Sequence, residues 1–259
     1  MAEKSKKQQR LRRRRQQQRN GVRALPLIIL CAVLMGLVIG AIFFRIGKVK
    51  VTGSTRYTDE EILAASGIQV GGNLFLIRTS AGASAIKAAF PYVESASIRR
   101  RFPSTVEITI REAEPAACIE TEDACWLVSE AGRLLEELPL AAGRKYLRLI
   151  GITLTEPEAG KDVQGAEGEE RSVRLMNEVL AALREAELSS DVGWLDVSQT
   201  GNVKFSYLRR FVVRLGTSAD LADKLAEAVA TARELDEDAR GTLDVSVPGT
   251  VRYLPEEES

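Results

Sequence analysis

The stretch SIRRRFPSTVEITIREAEP, residues 97–115, decides the fold of the first folded region. Three consecutive arginines precede Phe102-Pro103, and apolar and polar residues then alternate. The apolar positions are Val106, Ile108 and Ile110. Alternation with a period of two is typical of a strand with one buried face. Pro103 restricts φ in the connection, and we expect Phe102 to cover the end of a small core. The stretch therefore predicts a β-hairpin.

The residues before this hairpin predict one strand and two short helices. The segment IGKVKVTGS alternates and ends in Gly-Ser, as a strand followed by a turn does. Thr58 and Glu61 have the spacing of a capping box, and Gly67 follows the last turn of the same helix. The segment SAGASAIKAAF predicts a second helix, which Pro91 ends. The predicted element order over residues 45–115 is therefore β-α-α-β-β.

A long apolar segment precedes this region. The sequence ALPLIILCAVLMGLVIGAIFF, residues 24–44, contains no charged residue. About 20 apolar residues cross the roughly 30 Å hydrocarbon core of a bilayer as a helix. A cleaved signal peptide is the alternative, but its apolar region is shorter and is followed by small residues. The length favours one transmembrane helix over residues 25–44.

Charge is distributed unevenly along the 259 residues. Ten of the 36 basic residues and one of the 36 acidic residues lie in residues 1–24, which leaves 26 basic against 35 acidic residues and a net charge of −9 in the remainder. The basic tail has no apolar periodicity, so we expect residues 1–24 to be disordered. Only four basic residues lie in residues 45–60, so the asymmetry predicts a cytoplasmic tail and extracytoplasmic domains. The basic tail lies directly before the predicted membrane helix, which favours a role in topology or in attraction to anionic lipid over nucleic-acid binding.

The second domain is expected over residues 116–254, with a short tail at residues 255–259. Strand-like segments surround two amphipathic helical patterns, RSVRLMNEVLAALREAEL and SADLADKLAEAVATARELD. Residues 155–170 are polar and acidic, which is typical of a solvated loop. We expect a mixed α/β domain with a mainly antiparallel sheet. The predicted fold class is therefore α+β.

These patterns resemble a known family. The β-α-α-β-β order resembles the POTRA module, and the hairpin at residues 97–115 resembles the FtsQ/DivIB family of bacterial division proteins. The segments VRLGTSADLADKL and TLDVSVPGTVRYLP are similar to later elements of that family. Ala113 departs from the family pattern, in which a basic residue often stands at this position.

The resemblance implies a function as well as a fold. It implies a non-enzymatic, single-pass protein of the cytoplasmic membrane at the division septum. Its extracytoplasmic domains would bind FtsB/DivIC-type and FtsL-type division proteins and so support septal peptidoglycan synthesis. It implies no cofactor, no small-molecule substrate and no nucleic acid.

The alternative is a membrane-anchored envelope enzyme or a peptidoglycan-binding protein. The chain has no histidine, which excludes Ser-His and Cys-His catalysis and histidine metal sites. Its candidate carboxylate pairs, Glu112 with Glu114 and Asp236 with Asp238, are near neighbours in sequence, and nothing marks a cleft around them. Asp220 and Asp223 could form a metal pair, but they begin a predicted helix, where acidic residues suit the helix dipole. We therefore expect no catalytic, metal or cofactor site.

Arg99, Arg100 and Arg101 have two interpretations. They form either a charged strand end that discourages pairing between sheets, or a secondary contact surface for a division protein or anionic lipid headgroups.

The cysteines also leave two interpretations open. Cys31 lies in the predicted transmembrane helix. Cys118 and Cys125 flank IETEDA, which can form the turn of a hairpin and would place the two cysteines across from each other. They are either bridged by a disulfide bond or reduced in the core.

The end of the chain predicts the partner-binding region. Residues 242–254, TLDVSVPGTVRYL, predict a terminal strand, and Pro248 suits an edge or irregular position. An edge strand can accept a partner strand by β-augmentation, and the family resemblance implies the same region for the FtsB/DivIC-type partner. The predicted contact residues are Val247, Gly249, Val251 and Tyr253, with Lys224 on the last helix as an ion-pair donor to an acidic partner. The alternative is a strand that only completes the sheet.

Overall fold

The computed structural model describes Pro26, residues 29–36, Gly40 and residues 43–256. The predicted basic tail, part of the predicted transmembrane segment and residues 257–259 lie outside the described residues. Among the residues that are described, no helix has the length and apolar character needed to cross a membrane.

The first folded unit contains a three-stranded sheet and two helices. Its elements are β1 (Lys48–Thr52), α1 (Asp59–Ser66), α2 (Thr79–Ala89), β2 (Val93–Arg101) and β3 (Thr105–Glu112). β3 is the central strand, parallel to β1 and antiparallel to β2. The predicted β-α-α-β-β order is confirmed.

Local sequence explains why these elements form. Thr58 and Glu61 make a reciprocal capping box at the start of α1: the Glu61 N–H donates to Thr58 Oγ1 at 3.3 Å, and the Thr58 N–H donates to Glu61 Oε2 at 2.9 Å. Gly67 ends the helix with a left-handed φ of 67°. The apolar positions of the hairpin are buried against Ile62 of α1 and Ile86 of α2. The alternating apolar side chains of β3 therefore form part of the core of this unit, as their spacing predicts.

Glu112 at the end of β3 holds the loop between β1 and α1. Its carboxylate accepts bonds from the N–H groups of Thr55 and Arg56 at 2.7 and 3.0 Å, and from the hydroxyls of Ser54 and Thr55 at 3.1 and 2.7 Å. Partial burial acts to raise the pKa of Glu112, but these hydrogen bonds outweigh it and lower the pKa to about 2. The charged carboxylate therefore stabilises the fold.

Replacing Glu112 by glutamine is expected to lower the free energy of unfolding by about 1–2 kcal/mol at neutral pH, because several bonds to a charged acceptor are weakened. Since folding lowers the pKa of this carboxyl, its stabilisation is present above the ordinary value of 4.5 and is lost as the pH falls towards about 2. Denaturant unfolding of wild type and E112Q between pH 7 and pH 2 measures this. The exposed neighbour Glu114 serves as the control through E114Q. An E112Q effect that is independent of pH would contradict the assignment.

The second unit contains a nine-stranded sheet with the order β12-β11-β10-β9-β8-β7-β4-β5-β6. The strands are β4 (Pro115–Glu120), β5 (Ala124–Ser129), β6 (Leu134–Pro139), β7 (Leu147–Ile150), β8 (Val192–Asp196), β9 (Val203–Tyr207), β10 (Phe211–Gly216), β11 (Gly241–Val247) and β12 (Thr250–Pro255). The helices are α3 (Leu140–Gly143), α4 (Glu170–Glu185) and α5 (Leu221–Glu234). Five neighbouring pairs are antiparallel, and β4–β7, β7–β8 and β10–β11 are parallel. The sheet is therefore mixed.

The helices α4 and α5 share one core with the sheet. Each places an apolar stripe against the inner side chains of the strands, as the 3.6-residue period predicts. Buried members of this core include Met176, Val179, Leu183, Leu225, Ala228, Phe205, Phe211, Val213, Leu243 and Val245.

The end of the chain differs from the predicted single strand at residues 242–254. It forms a hairpin of β11 and β12, in which Val247 lies opposite Thr250 and Pro248-Gly249 makes the turn. Proline followed by a glycine with a φ of 74° suits a type II turn, in which the third residue needs a positive φ. The edge strand is therefore β12 alone.

The two units are in contact through a small apolar cluster. Tyr92 and Ala113 of the first unit pack with Leu127 and Leu135 of the second. The Tyr92 hydroxyl also donates to Glu136 Oε1 at 2.6 Å. Ala113, the departure from the family pattern, is buried at this junction. The junction therefore joins the cores of the two units.

Candidate partner-binding edge

The outer edge of β12 presents backbone groups that no other strand of the described chain pairs with. β12 is the last strand of its sheet, and its ladder partner is β11. The Glu256 N–H donates to the Arg240 carbonyl at 3.0 Å, one position beyond the pair Gly241 and Pro255. Bonded and non-bonded pairs alternate in an antiparallel ladder. The backbone groups of Val251 and Tyr253 therefore point outwards from the sheet.

The side chains of Val251 and Tyr253 pack towards the core. Both are half-buried against it. The Tyr253 ring meets Phe211 edge-on with centroids 6.3 Å apart, and its hydroxyl donates to the Arg240 carbonyl at 2.9 Å. Tyr253 thus holds β12 on the sheet. The alternating residues Arg252 and Leu254 are exposed.

Val247 and Gly249 lie at the exposed tip of the hairpin. The Gly249 N–H donates to Glu227 Oε1 of α5 at 3.1 Å. This bond ties the hairpin turn to the helix. The Val247 side chain remains 60% exposed and is available for contact.

Lys224 is not at the surface, which corrects the expectation of an ion pair with an acidic partner. Its side chain is 1% exposed. Its Nζ atom donates to the carbonyls of Leu215 and Thr217 at 2.9 and 3.0 Å. Lys224 lies on the inner face of α5 and satisfies carbonyl groups at the end of β10.

A groove beside β12 was not predicted from the sequence. It has a volume of about 710 Å³. It lies on the face of the large sheet opposite to the helices α4 and α5. Trp194 and Leu254 contribute apolar surface, and Arg210 is among its basic residues. The sequence indicates this groove only weakly. Arg209-Arg210 forms the turn between β9 and β10, and the other face of these strands is buried.

Arg99, Arg100 and Arg101 are exposed at the end of β2, an edge strand of the small sheet. The Arg101 Nε atom pairs with Glu107 Oε2 at 2.9 Å, and Arg100 Nη2 donates to the Ile77 carbonyl at 2.7 Å. Their position on an edge is compatible with both interpretations given above.

Cys118 and Cys125 are buried, and their sulfur atoms are in contact. Their Cα atoms are 5.9 Å apart, within the range that disulfides occupy. The two residues are not directly opposite, because Cys118 faces Leu127 and Cys125 faces Glu120. They lie diagonally on one face of the hairpin.

We expect a disulfide bond between Cys118 and Cys125 in the oxidised protein. In the chain-entropy account, a bridge that closes a loop of about eight residues stabilises a protein by about 2–2.5 kcal/mol. Peptide mass spectrometry under non-reducing conditions measures the bridge directly. Quantitative alkylation of both thiols before reduction would show that the pair is reduced. The variant C31A is the control and should leave the result unchanged.

The carboxylates considered as catalytic or metal-binding groups have other surroundings. The Glu112 carboxylate accepts hydrogen bonds from the loop before α1, and Glu114 is exposed. Asp220 and Asp223 flank the start of α5. Across the part of the chain that the structure describes, no group of three or more His, Cys, Asp or Glu side chains is placed to hold a metal ion.

Comparisons with known proteins agree with this architecture. Residues 44–113 match the domain family described as "POTRA domain, FtsQ-type". The chain is 26% identical over 215 residues to the cell division protein DivIB of Clostridium acetobutylicum, covering 82% of this chain and 83% of that protein. DivIB of Clostridium botulinum is 26% identical over 226 residues, with 86% of each chain covered. The cell division protein FtsQ of Corynebacterium glutamicum is 34% identical over 90 residues, or 34% of this chain and 40% of that protein.

The fold and these matches define a POTRA-domain protein of the FtsQ type, in which a second domain with a large mixed sheet follows the POTRA domain. Its similarity to DivIB extends through that second domain. The chain therefore contains an FtsQ-type POTRA domain and is similar over most of its length to proteins named as cell division protein DivIB.

Proposed function

We propose that this protein is a non-enzymatic scaffold of the division machinery that binds other division proteins outside the cytoplasmic membrane. In this role it supports septal peptidoglycan synthesis at the division site. The open outer edge of β12 carries the proposal, because a backbone edge held on a large sheet suits binding and contains no chemistry of its own. The relatives named as cell division proteins support the same role.

The proposed binding mode is β-augmentation by a FtsB/DivIC-type partner. A strand of the partner pairs with the outward N–H and C=O groups of Val251 and Tyr253. Val247 and Gly249 border this strand at the hairpin tip, and Leu254 offers exposed apolar surface on the other face of β12. A FtsL-type protein is bound in the same complex. Arg99, Arg100 and Arg101 form a secondary contact.

We also propose that a single transmembrane helix over residues 25–44 anchors the protein, with a cytoplasmic N-terminus. The uncharged segment and the basic residues before it support this topology. Single cysteines at Ser5 and Ser259, in a chain lacking the native three, are distinguished by a membrane-impermeant thiol reagent. We expect labelling in intact spheroplasts at position 259 only; the reverse pattern would refute the orientation.

Co-purification tests the proposed function. The full chain, solubilised in mild detergent, should form a stable complex with a co-expressed pair of FtsB/DivIC-type and FtsL-type proteins. A chain truncated before β12, after Ser246, is the comparison and should fail to retain them. Equal retention by both chains would place the contact elsewhere.

The alternative is an envelope enzyme or a wall-binding protein. It is tested with purified peptidoglycan. We expect neither release of soluble fragments nor co-sedimentation of the full chain with the insoluble polymer. Either result would favour the alternative over the scaffold.

A further inference from the structure

One end of the POTRA domain carries an exposed group of aromatic and aliphatic side chains. We call Phe44, Phe75, Leu76 and Phe102 the aromatic tip. The ring centroid of Phe44 lies 4.9 Å from that of Phe75 and 5.8 Å from that of Phe102, and those of Phe75 and Phe102 are 5.5 Å apart. Phe75, Leu76 and Phe102 are nevertheless 53%, 79% and 60% exposed. The sequence predicted that Phe102 covers the end of the core, and this prediction is wrong because the side chain is exposed.

Hydrogen bonds hold the aromatic tip in place. The Leu74 N–H donates to the Phe44 carbonyl at 2.8 Å, and the Ile46 N–H donates to the Gly72 carbonyl at 2.8 Å. The Phe75 N–H donates to Asn73 Oδ1 at 2.8 Å. Leu74 itself is fully buried. The exposed rings are thus presented by an ordered backbone rather than by a loose loop.

Cationic side chains lie on one face of the small sheet, beside the aromatic tip. The register of the small sheet aligns Lys48, Thr105 and Arg101 in its first row, directly beside the turn that contains Phe102. The next row contains Lys50, Glu107 and Arg99. These two rows present four cations against one carboxylate. Such a surface complements anionic phosphate groups.

The position of the aromatic tip in the chain identifies its partner. Phe43 is helical and is the penultimate residue of the predicted transmembrane segment, and Phe44 follows it directly. Consecutive Cα atoms are about 3.8 Å apart, so Phe44 cannot lie far from the bilayer surface. Aromatic side chains flanked by basic residues are favoured at the membrane interface.

We propose that the aromatic tip inserts into the outer leaflet of the membrane that holds the anchor, with Lys48 and Arg101 at the lipid phosphates. This inference rests on the membrane anchoring in the proposed function. It makes the POTRA domain a lipid-contacting element, which fixes the orientation of the sheet relative to the bilayer.

Fluorescence quenching tests the proposal. The full chain with the substitution F102W is reconstituted into vesicles of phosphatidylcholine and phosphatidylglycerol, with or without bromine on the upper acyl chain. Trp126 and Trp194 provide the baseline, because both belong to the second domain. We expect the emission added by F102W to move to shorter wavelength and to lose most of its intensity in brominated vesicles. The substitution should preserve the fold, since the Phe102 side chain is largely exposed.

Two comparisons make the test specific. L208W places tryptophan at an exposed apolar position of the second domain, and its emission should not be quenched. K48E together with R101E in the F102W chain should reduce the quenching, and so should removal of phosphatidylglycerol.

Each remaining outcome overturns a defined statement. A chain that resists alkaline extraction but shows unquenched F102W emission refutes insertion and leaves the anchor intact. Emission that shifts without quenching shows that protein covers the aromatic tip, and it also refutes the proposal. A chain released by alkaline extraction refutes the anchor and, with it, this inference.

Discussion

Replacing Val251 by proline is expected to weaken binding of the proposed FtsB/DivIC-type partner by about ten- to one-hundred-fold. Proline lacks an N–H group, and the N–H of Val251 points away from β11. The substitution therefore removes a bond to the partner strand and leaves a partner carbonyl unsatisfied, while it spares the ladder between β11 and β12. Titration of the purified chain with the partner's extracytoplasmic segment measures the change in Kd.

V251I is the matched variant, because it keeps the N–H group and a β-branched apolar side chain. It should bind as wild type does. Melting temperatures of all three proteins show whether the hairpin remains folded, and we expect a small decrease for V251P. If folded V251P binds as tightly as wild type, the partner does not pair with this edge. The side-chain variant Y253A is less informative, since Tyr253 also stabilises β12 through Phe211 and the Arg240 carbonyl.

Replacing Lys224 by alanine is expected to lower the free energy of unfolding by about 2–4 kcal/mol. The substitution removes a buried side chain and leaves the carbonyls of Leu215 and Thr217 without their donor. Denaturant unfolding measures the loss. Partner binding should change only as far as the folded population changes, because the ammonium group is not at the surface.

K224M separates the two contributions to this loss. Methionine retains the apolar stem of the side chain but donates no hydrogen bond. The free energy of unfolding of K224M should therefore fall between those of wild type and K224A. The exposed lysine Lys161 provides the surface control, and K161A should change stability by less than about 0.5 kcal/mol. Wild-type stability in K224A would contradict the buried role. Selective loss of partner binding in K224A would restore the original surface interpretation.

The POTRA domain could be predicted because each of its elements has a local cause. The capping box of Thr58 and Glu61, the glycine after α1 and the alternation in β3 act within a few residues. They predict the same elements that packing then stabilises. The exposure of Phe102 was not predictable in this way, since it depends on where Phe44 and Phe75 lie in the folded chain.

The second domain was predictable in its elements but not in its strand order. Parallel pairing of β4 with β7 joins residues separated by a hairpin and a helix, and no local pattern specifies it. The hairpin of β11 and β12 could have been recognised, because Pro248-Gly249 between alternating segments is typical of a turn. Lys224 follows the helical spacing of the apolar stripe, but the carbonyls that make its burial favourable belong to β10.

The two ends of the nine-stranded sheet differ in a way that limits assembly. At β6, the Leu134 N–H donates to the Lys161 carbonyl and the Leu134 carbonyl accepts from Gly160, both at 2.8 Å. Each edge strand ends in a proline, Pro139 in β6 and Pro255 in β12. No loop of the described residues, however, bonds to the outward backbone groups of Val251 and Tyr253 as residues 160 and 161 bond to Leu134. Head-to-tail stacking of identical copies needs two open edges, so the bonds at the start of β6 disfavour growth of the sheet into a polymer. One open edge is sufficient, by contrast, for the single strand of the proposed partner.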